Sequence, residues 1–80
     1  MNVIIYTKTG CPWCKEALRF LSDKQVPFED REIFGNPVFF EELKAKSGQS
    51  KTPTVDVDGD ILADTDAEAI EAFLKQRGIL

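Results

Sequence analysis

The chain carries two cysteines, Cys11 and Cys14, in the stretch TKTGCPWCKEALRFL that runs from residue 7 to residue 21. Its single tryptophan, Trp13, lies between them. A pair this close could staple the fold, hold a metal or trade electrons. As a staple it would close a loop of only four residues, 11–14, and the chain-entropy gain from so short a loop is small. As a metal site it is short of ligands. Structural zinc takes four nitrogen or sulfur donors, and the sequence has two cysteines and no histidine. No metal is expected. Thiol–disulfide exchange needs only a reactive thiolate beside a second, sheltered thiol.

Whether the pair can do this depends on the elements that hold it. Val3-Ile4-Ile5-Tyr6 is a short β-branched and aromatic run ended by Thr-Lys-Thr-Gly, which predicts a buried strand. Cys14, Ala17, Leu18 and Leu21 then recur at i, i+3, i+4 and i+7, which predicts an amphipathic helix from about Pro12 to Asp23. Cys11 becomes the N-cap, Pro12 the first helical residue, Trp13 the second and Cys14 the third. A thiolate at the N-cap can accept bonds from the free amides of Trp13 and Cys14. The positive end of the helix dipole favours it as well, and Lys8 on the same loop adds a cation. Such surroundings lower a cysteine pKa from about 8.5 to roughly 3.5–7.5. Cys14 falls on the apolar stripe and should be sheltered. Residues three apart on a helix share a face, close enough for a disulfide. The expected roles are attack by Cys11 and resolution by Cys14.

The remaining elements follow from local signals. Val26 to Phe34 contains a second strand, with four charges inside it. Asn36-Pro37 reads as an N-cap followed by proline at the first helical position. A helix from Pro37 to Lys46 follows, with Phe39 and Leu43 on one face and Gly48 as its stop. Asp58-Gly59 lies between Val55 and Val57 on one side and Ile61 and Ala63 on the other, a hairpin signal. Thr65-Asp-Ala-Glu68 is a capping box. It opens a last helix with Ala69, Ile70, Phe73 and Leu74 inward and Gly78 past its end. The first strand, helix and second strand make a right-handed βαβ unit. The hairpin adds antiparallel strands, so an α/β fold is expected: a four-stranded mixed sheet flanked by three helices, on both faces. In such a sheet a ligand site lies at the carboxyl ends of the parallel strands, where the cysteine turn sits.

Composition narrows the partners. With 80 residues the chain is expected to be one domain, 1–80, and 42% hydrophobic residues including six Phe can build its core. Net charge is −4 with no basic run, which disfavours nucleic acid and anionic membrane. The apolar run near the N-terminus is too short for a secretion signal or a membrane span. A cytoplasmic monomer is expected. Residues 56–68, DVDGDILADTDAE, invite a calcium reading. With Gly59 at loop position 6, threonines stand at positions 1 and 12 where the pattern needs acids.

With CPWC on a βαβ unit, the chain resembles the glutaredoxins of the thioredoxin superfamily over essentially its whole length. The residues that carry this are the strand Val3 to Tyr6, Lys8, and Cys11-Pro12-Trp13-Cys14. A second landmark is SGQSKTPTV, residues 47–55, where Pro53 fills the place of the family's cis-proline. A third is Thr65-Asp66 at the final helix start. The resemblance implies a thioredoxin-like fold and thiol–disulfide oxidoreductase activity on protein disulfides or glutathione-mixed disulfides, with glutathione as reductant and co-substrate. It implies that Thr52, before the cis-proline, pairs its backbone with the cysteinyl part of glutathione. It also implies that Thr65 and Asp66 hold the γ-glutamyl carboxylate, which suits the free amides of a helix N-terminus. Lys8, Trp13, Lys51 and Pro53 complete the expected glutathione site.

Two departures stand against this donor. Ser50 occupies a place that is basic in many members, and Ala63-Asp64 replaces a Gly-Gly. Asp64 puts a negative charge beside the expected carboxylate site. A redoxin fed by a thioredoxin-reductase-type donor is therefore an alternative. A dimer carrying an iron–sulfur cluster on Cys11 and glutathione is another, opposed by the stiffness of Pro12 and separable by visible absorbance. On exposure alone, Trp13 is a surface aromatic, Lys8 a solvated lysine, and Gln49 and Lys51 ordinary loop residues. Their positions around the cysteines are what set them apart.

Overall fold

A computed structural model describes residues 2–80. The elements run β1 (Val3–Thr7), α1 (Pro12–Asp23), β2 (Glu29–Glu32), α2 (Pro37–Ser47), β3 (Thr54–Val57), β4 (Asp60–Leu62) and α3 (Ala67–Gln76). The sheet has four strands in the order β2-β1-β3-β4. β1 and β2 are parallel, and the other two pairings are antiparallel. This is the thioredoxin-like arrangement expected above.

Alternation along β1 divides the core between the two faces. Val3 and Ile5 point to one side, where Ala17 and Leu21 of α1, Val55 and Val57 of β3, and Ile70 and Leu74 of α3 pack on them. Ile4 and Tyr6 point to the other, where α2 packs through Leu43, Phe39 and Phe40. That second face also holds a polar chain. Arg31 of β2 bonds Glu29 and Glu42 at 2.5 Å each. Glu42 accepts from the Tyr6 hydroxyl, which accepts in turn from Lys46, and Lys46 pairs with Asp56 at 2.7 Å. Asp56, the one buried carboxylate of this chain, is thereby paired, as burial demands.

Several expectations change in detail. The second strand narrows to Glu29–Glu32, so Phe28 and Ile33 flank it. It is an edge strand, and its alternate charged residues are absorbed by Thr7, Thr9 and α2 rather than by a core. In the hairpin, Asp58 and Gly59 both take positive φ, at 51° and 95°. A two-residue turn pairs Val57 with Asp60 and hence Val55 with Leu62, so Leu62, not Ile61 or Ala63, joins the main core. Asp66, not Thr65, caps α3: its carboxylate accepts from the Ala69 amide at 2.8 Å. Thr65 is buried and bonds its own amide to the Pro53 carbonyl instead. Ala69 is exposed, because Ile70 and Leu74 alone define the buried stripe of α3.

Candidate active site

The end of β1 and the start of α1 present the two cysteines. Thr7 closes the strand, and its carbonyl receives the Ile33 amide at 2.9 Å, which fixes the loop against β2. Gly10 takes φ +85°, a region favoured for glycine, and turns the chain into Cys11. Cys11 is the N-cap of α1 with extended backbone, and Pro12 is the first helical residue. The Cys14 amide donates to Cys11 Sγ at 3.3 Å. The Thr52 hydroxyl donates to the same sulfur at 3.8 Å, and as a thiol Cys11 can donate to the Thr52 carbonyl at 3.9 Å. Deprotonation removes that last bond and strengthens the two donations.

The two thiols are tuned apart. Burial pushes the Cys11 pKa up, but the Cys14 side chain and amide, the Thr52 hydroxyl and the Trp13 amide outweigh it, and Cys11 lies below the ordinary thiol value. Burial pushes Cys14 up, and its neighbour Cys11 pushes it further. Cys11 is half-buried and Cys14 is buried, and both are free thiols. Lys8 is not among the main causes for Cys11. Its ammonium lies 6.0 Å from the centre of the Phe34 ring.

A shallow groove of about 340 Å³ runs from Cys11 along Trp13, with Lys8, Lys51, Thr52 and Asp64 as its other walls. A second hollow of about 250 Å³ continues it past Trp13, Thr52 and Asp64 to Thr65 and Asp66. Six of the seven residues expected around glutathione therefore line one continuous surface. Pro53 does not line it: the Thr52–Pro53 bond is cis, and the ring is buried beneath. Among the described residues, no group of three or more His, Cys, Asp or Glu converges as a metal site.

One residue that shapes this surface, Thr54, was not singled out from the sequence, whereas the charge of Asp64 was. Asp64 is a groove wall, and Lys51 lies 3.9 Å from its carboxylate. Thr54 is fully buried, and its hydroxyl joins both walls. It donates to the Lys51 carbonyl at 2.9 Å and accepts from the Asp64 amide at 3.3 Å. A threonine directly after a proline, at the first residue of a strand, was the signal, but only the fold brings residue 64 to it.

The comparisons with known proteins agree with this geometry. A family model described as Glutaredoxin matches residues 3–62. The chain belongs to the glutaredoxin family. Its members are thiol–disulfide oxidoreductases, and the chain is one of them. Glutaredoxin 3 of Escherichia coli strain K12 is 42% identical over 57 residues, which cover 71% of this chain and 69% of the relative. The crystal structure of the thioredoxin-like protein BC3987 superposes with a TM-score of 0.83 at 26% identity, covering 91% of this chain and 100% of that one. The glutaredoxin-like protein NrdH-redoxin from Escherichia coli shares the fold, with a TM-score of 0.76 at 24% identity over 90% of this chain and 93% of that one.

Proposed function

We propose that the chain, as one cytoplasmic domain spanning residues 1–80 and acting as a monomer, reduces protein disulfides and glutathione-mixed disulfides with glutathione as its reductant. The observation that carries this is the pairing of a half-exposed thiol, favoured as thiolate, with a buried thiol three residues on, at the head of an open groove. Cys11 Sγ⁻ attacks one sulfur of the target. That S–S bond breaks, and the second sulfur leaves as a thiolate that takes a proton from water. Cys14 then loses its proton and attacks Cys11 Sγ, which releases the reduced target and leaves a Cys11–Cys14 disulfide. Two glutathione molecules return the two electrons and leave as glutathione disulfide. The groove supports glutathione binding by Lys8, Trp13, Lys51, Thr52, Thr65 and Asp66, with Pro53 holding Thr52 in place.

The test is reduction of a small glutathione-mixed disulfide with NADPH, glutathione reductase and reduced glutathione. Brisk turnover is expected. Cys11→Ser should abolish it. Cys14→Ser should keep it largely intact while losing the reduction of protein disulfides, and the opposite result would reverse the roles. One observation favours a second reading. Asp64 draws Lys51 toward itself and adds negative charge where an anionic tripeptide would lie. NrdH-redoxin, which shares this fold, is described as having a thioredoxin-like activity profile. If turnover is absent while the cysteines still cycle under dithiothreitol, glutathione is not the donor, and turnover with NADPH and a thioredoxin reductase tests the second reading.

A further inference from the structure

The exchange cycle includes one event that the groove cannot serve. While the target is held on Cys11, Cys14 must give up a proton before it can attack. Cys14 is 2% exposed, and it lines neither hollow of the groove. It does line a separate hollow of about 220 Å³, together with Thr7 of β1 and Asp30 and Glu32 of β2. A water needs roughly 10–15 Å³ of such space, so several fit. The Lys8 amide, on the loop after β1, favours the Cys14 thiolate, so the sulfur faces this loop.

The strand pattern explains why carboxylates meet a buried thiol here. Alternation along β2 turns Arg31 toward Glu42 of α2, and so turns Asp30 and Glu32 to the face that α1 covers. Asp30 stands beside Ile5 in the register and Glu32 beside Thr7. Among the described residues neither carboxylate forms an ion pair. They differ in what they already accept. Glu32 takes the Thr9 hydroxyl on one oxygen and the Phe34 amide on the other. Asp30 takes the Thr7 hydroxyl on Oδ1 at 2.6 Å, and its Oδ2 receives no bond from the described residues. Thr7 is buried and Asp30 is exposed, so the pair reaches from the interior to solvent. Lys8 and Lys15 line the hollow too, and their charge favours the thiolate that forms as the proton departs.

We propose that this hollow is the exit route of the Cys14 proton, and that Asp30, held in place by Thr7, is the acceptor. Water in the hollow takes the proton as Cys14 Sγ attacks Cys11 Sγ, and passes one on to Asp30 Oδ2. The Cys14 S–H bond and the bond between Cys11 and the target sulfur break. The Cys11–Cys14 bond forms, and the target leaves as a thiolate with the electron pair. Asp30 then returns the proton to solvent, from which the target thiolate is protonated. The target occupies the groove while the proton leaves through a different opening, so neither obstructs the other. Thr7 is a positioning residue. The proposal rests on Cys14 as the resolving thiol and not on the identity of the donor.

The test mixes the reduced protein with equimolar dithiobis(nitrobenzoate), whose thiolate absorbs visible light, under stopped flow. One thiolate is released when Cys11 attacks and another when Cys14 resolves, so the steps are read separately. Cys14→Ser should lose the second release. Asp30→Asn keeps an oxygen for the Thr7 hydroxyl but cannot take a proton. It should leave the first release within about twofold and slow the second about tenfold, less than a directly bonded base gives because water intervenes. Rising imidazole concentration should restore the second release in Asp30→Asn. Thr7→Val should slow the same step by a smaller factor, and Glu32→Gln should leave both releases within about twofold. An unchanged second release in Asp30→Asn overturns the proposal. So does an equal loss in both releases, or a loss that Glu32→Gln reproduces. A wild-type protein that gives only the first release would overturn the role of Cys14 and the proposal with it. One that gives neither would overturn the active-site reading itself.

Discussion

At the scale of the residue, Cys11 decides the chemistry, and its titration is measurable in two ways. Thiolate absorbance should give a midpoint below the ordinary thiol value of about 8.5. Stability should follow pH with a matching sign. The folded protein releases the Cys11 proton at a lower pH than the unfolded chain does. Between the two values the unfolded state binds more protons, so stability of the reduced protein rises with pH. Cys14 has the opposite shift, so above about 8.5 the unfolded chain loses that proton first and stability falls. Urea unfolding of the reduced protein should therefore peak near the ordinary thiol pKa. Cys11→Ser should erase the rise and keep the fall, and a rise that persists in that variant would mean another group is responsible. The difference between the thiols was legible in the sequence, because capping and helical periodicity are local. The Thr52 hydroxyl beside Cys11 was not, since 41 residues separate the two.

At the scale of the element, the groove depends on how the turn before β3 meets the turn before α3. Thr54 joins them through one hydroxyl. Thr54→Val keeps the shape but leaves the Asp64 amide and the Lys51 carbonyl without that partner, at a cost of about 1–3 kcal/mol. The measurement is chemical denaturation together with the KM for glutathione. The expected outcome is lower stability and a raised KM with an unchanged Cys11 titration, since the α1 cap is untouched. An unchanged KM would show that the walls hold without Thr54. The helices and the hairpin were readable from caps, periodicity and the Asp-Gly turn. The limits of β2 were not, because Glu29-Asp-Arg-Glu32 carries no apolar pattern. It is a strand because β1 pairs with it and α2 and the Thr7–Thr9 turn meet its charges.

At the scale of the molecule, the two faces of the sheet are unequal. α1 and α3 share a broad apolar core, whereas α2 is held by one fully buried side chain, Leu43, its phenylalanines and the Arg31–Glu42–Tyr6–Lys46–Asp56 chain. Leu43→Ala should cost about 2–5 kcal/mol, a large share of the roughly 5–15 kcal/mol typical of a domain. Thermal unfolding checks this, and a loss below about 1 kcal/mol would mean that the polar chain, not Leu43, anchors α2. The division into faces was readable from the alternation in β1. The polar chain was not, because its members are scattered from residue 6 to residue 56 and look like ordinary surface charges until the sheet gathers them.

The capped thiolate also bears on the direction in which electrons flow. Whatever stabilises Cys11 as thiolate stabilises the reduced protein, and a disulfide cannot accept the Cys14 amide in the same charged form. For a two-electron couple, each pKa unit below the working pH makes the reduction potential less negative by about 30 mV. The N-cap of α1 thus acts in the oxidant direction, by an amount set by how far below the working pH Cys11 titrates.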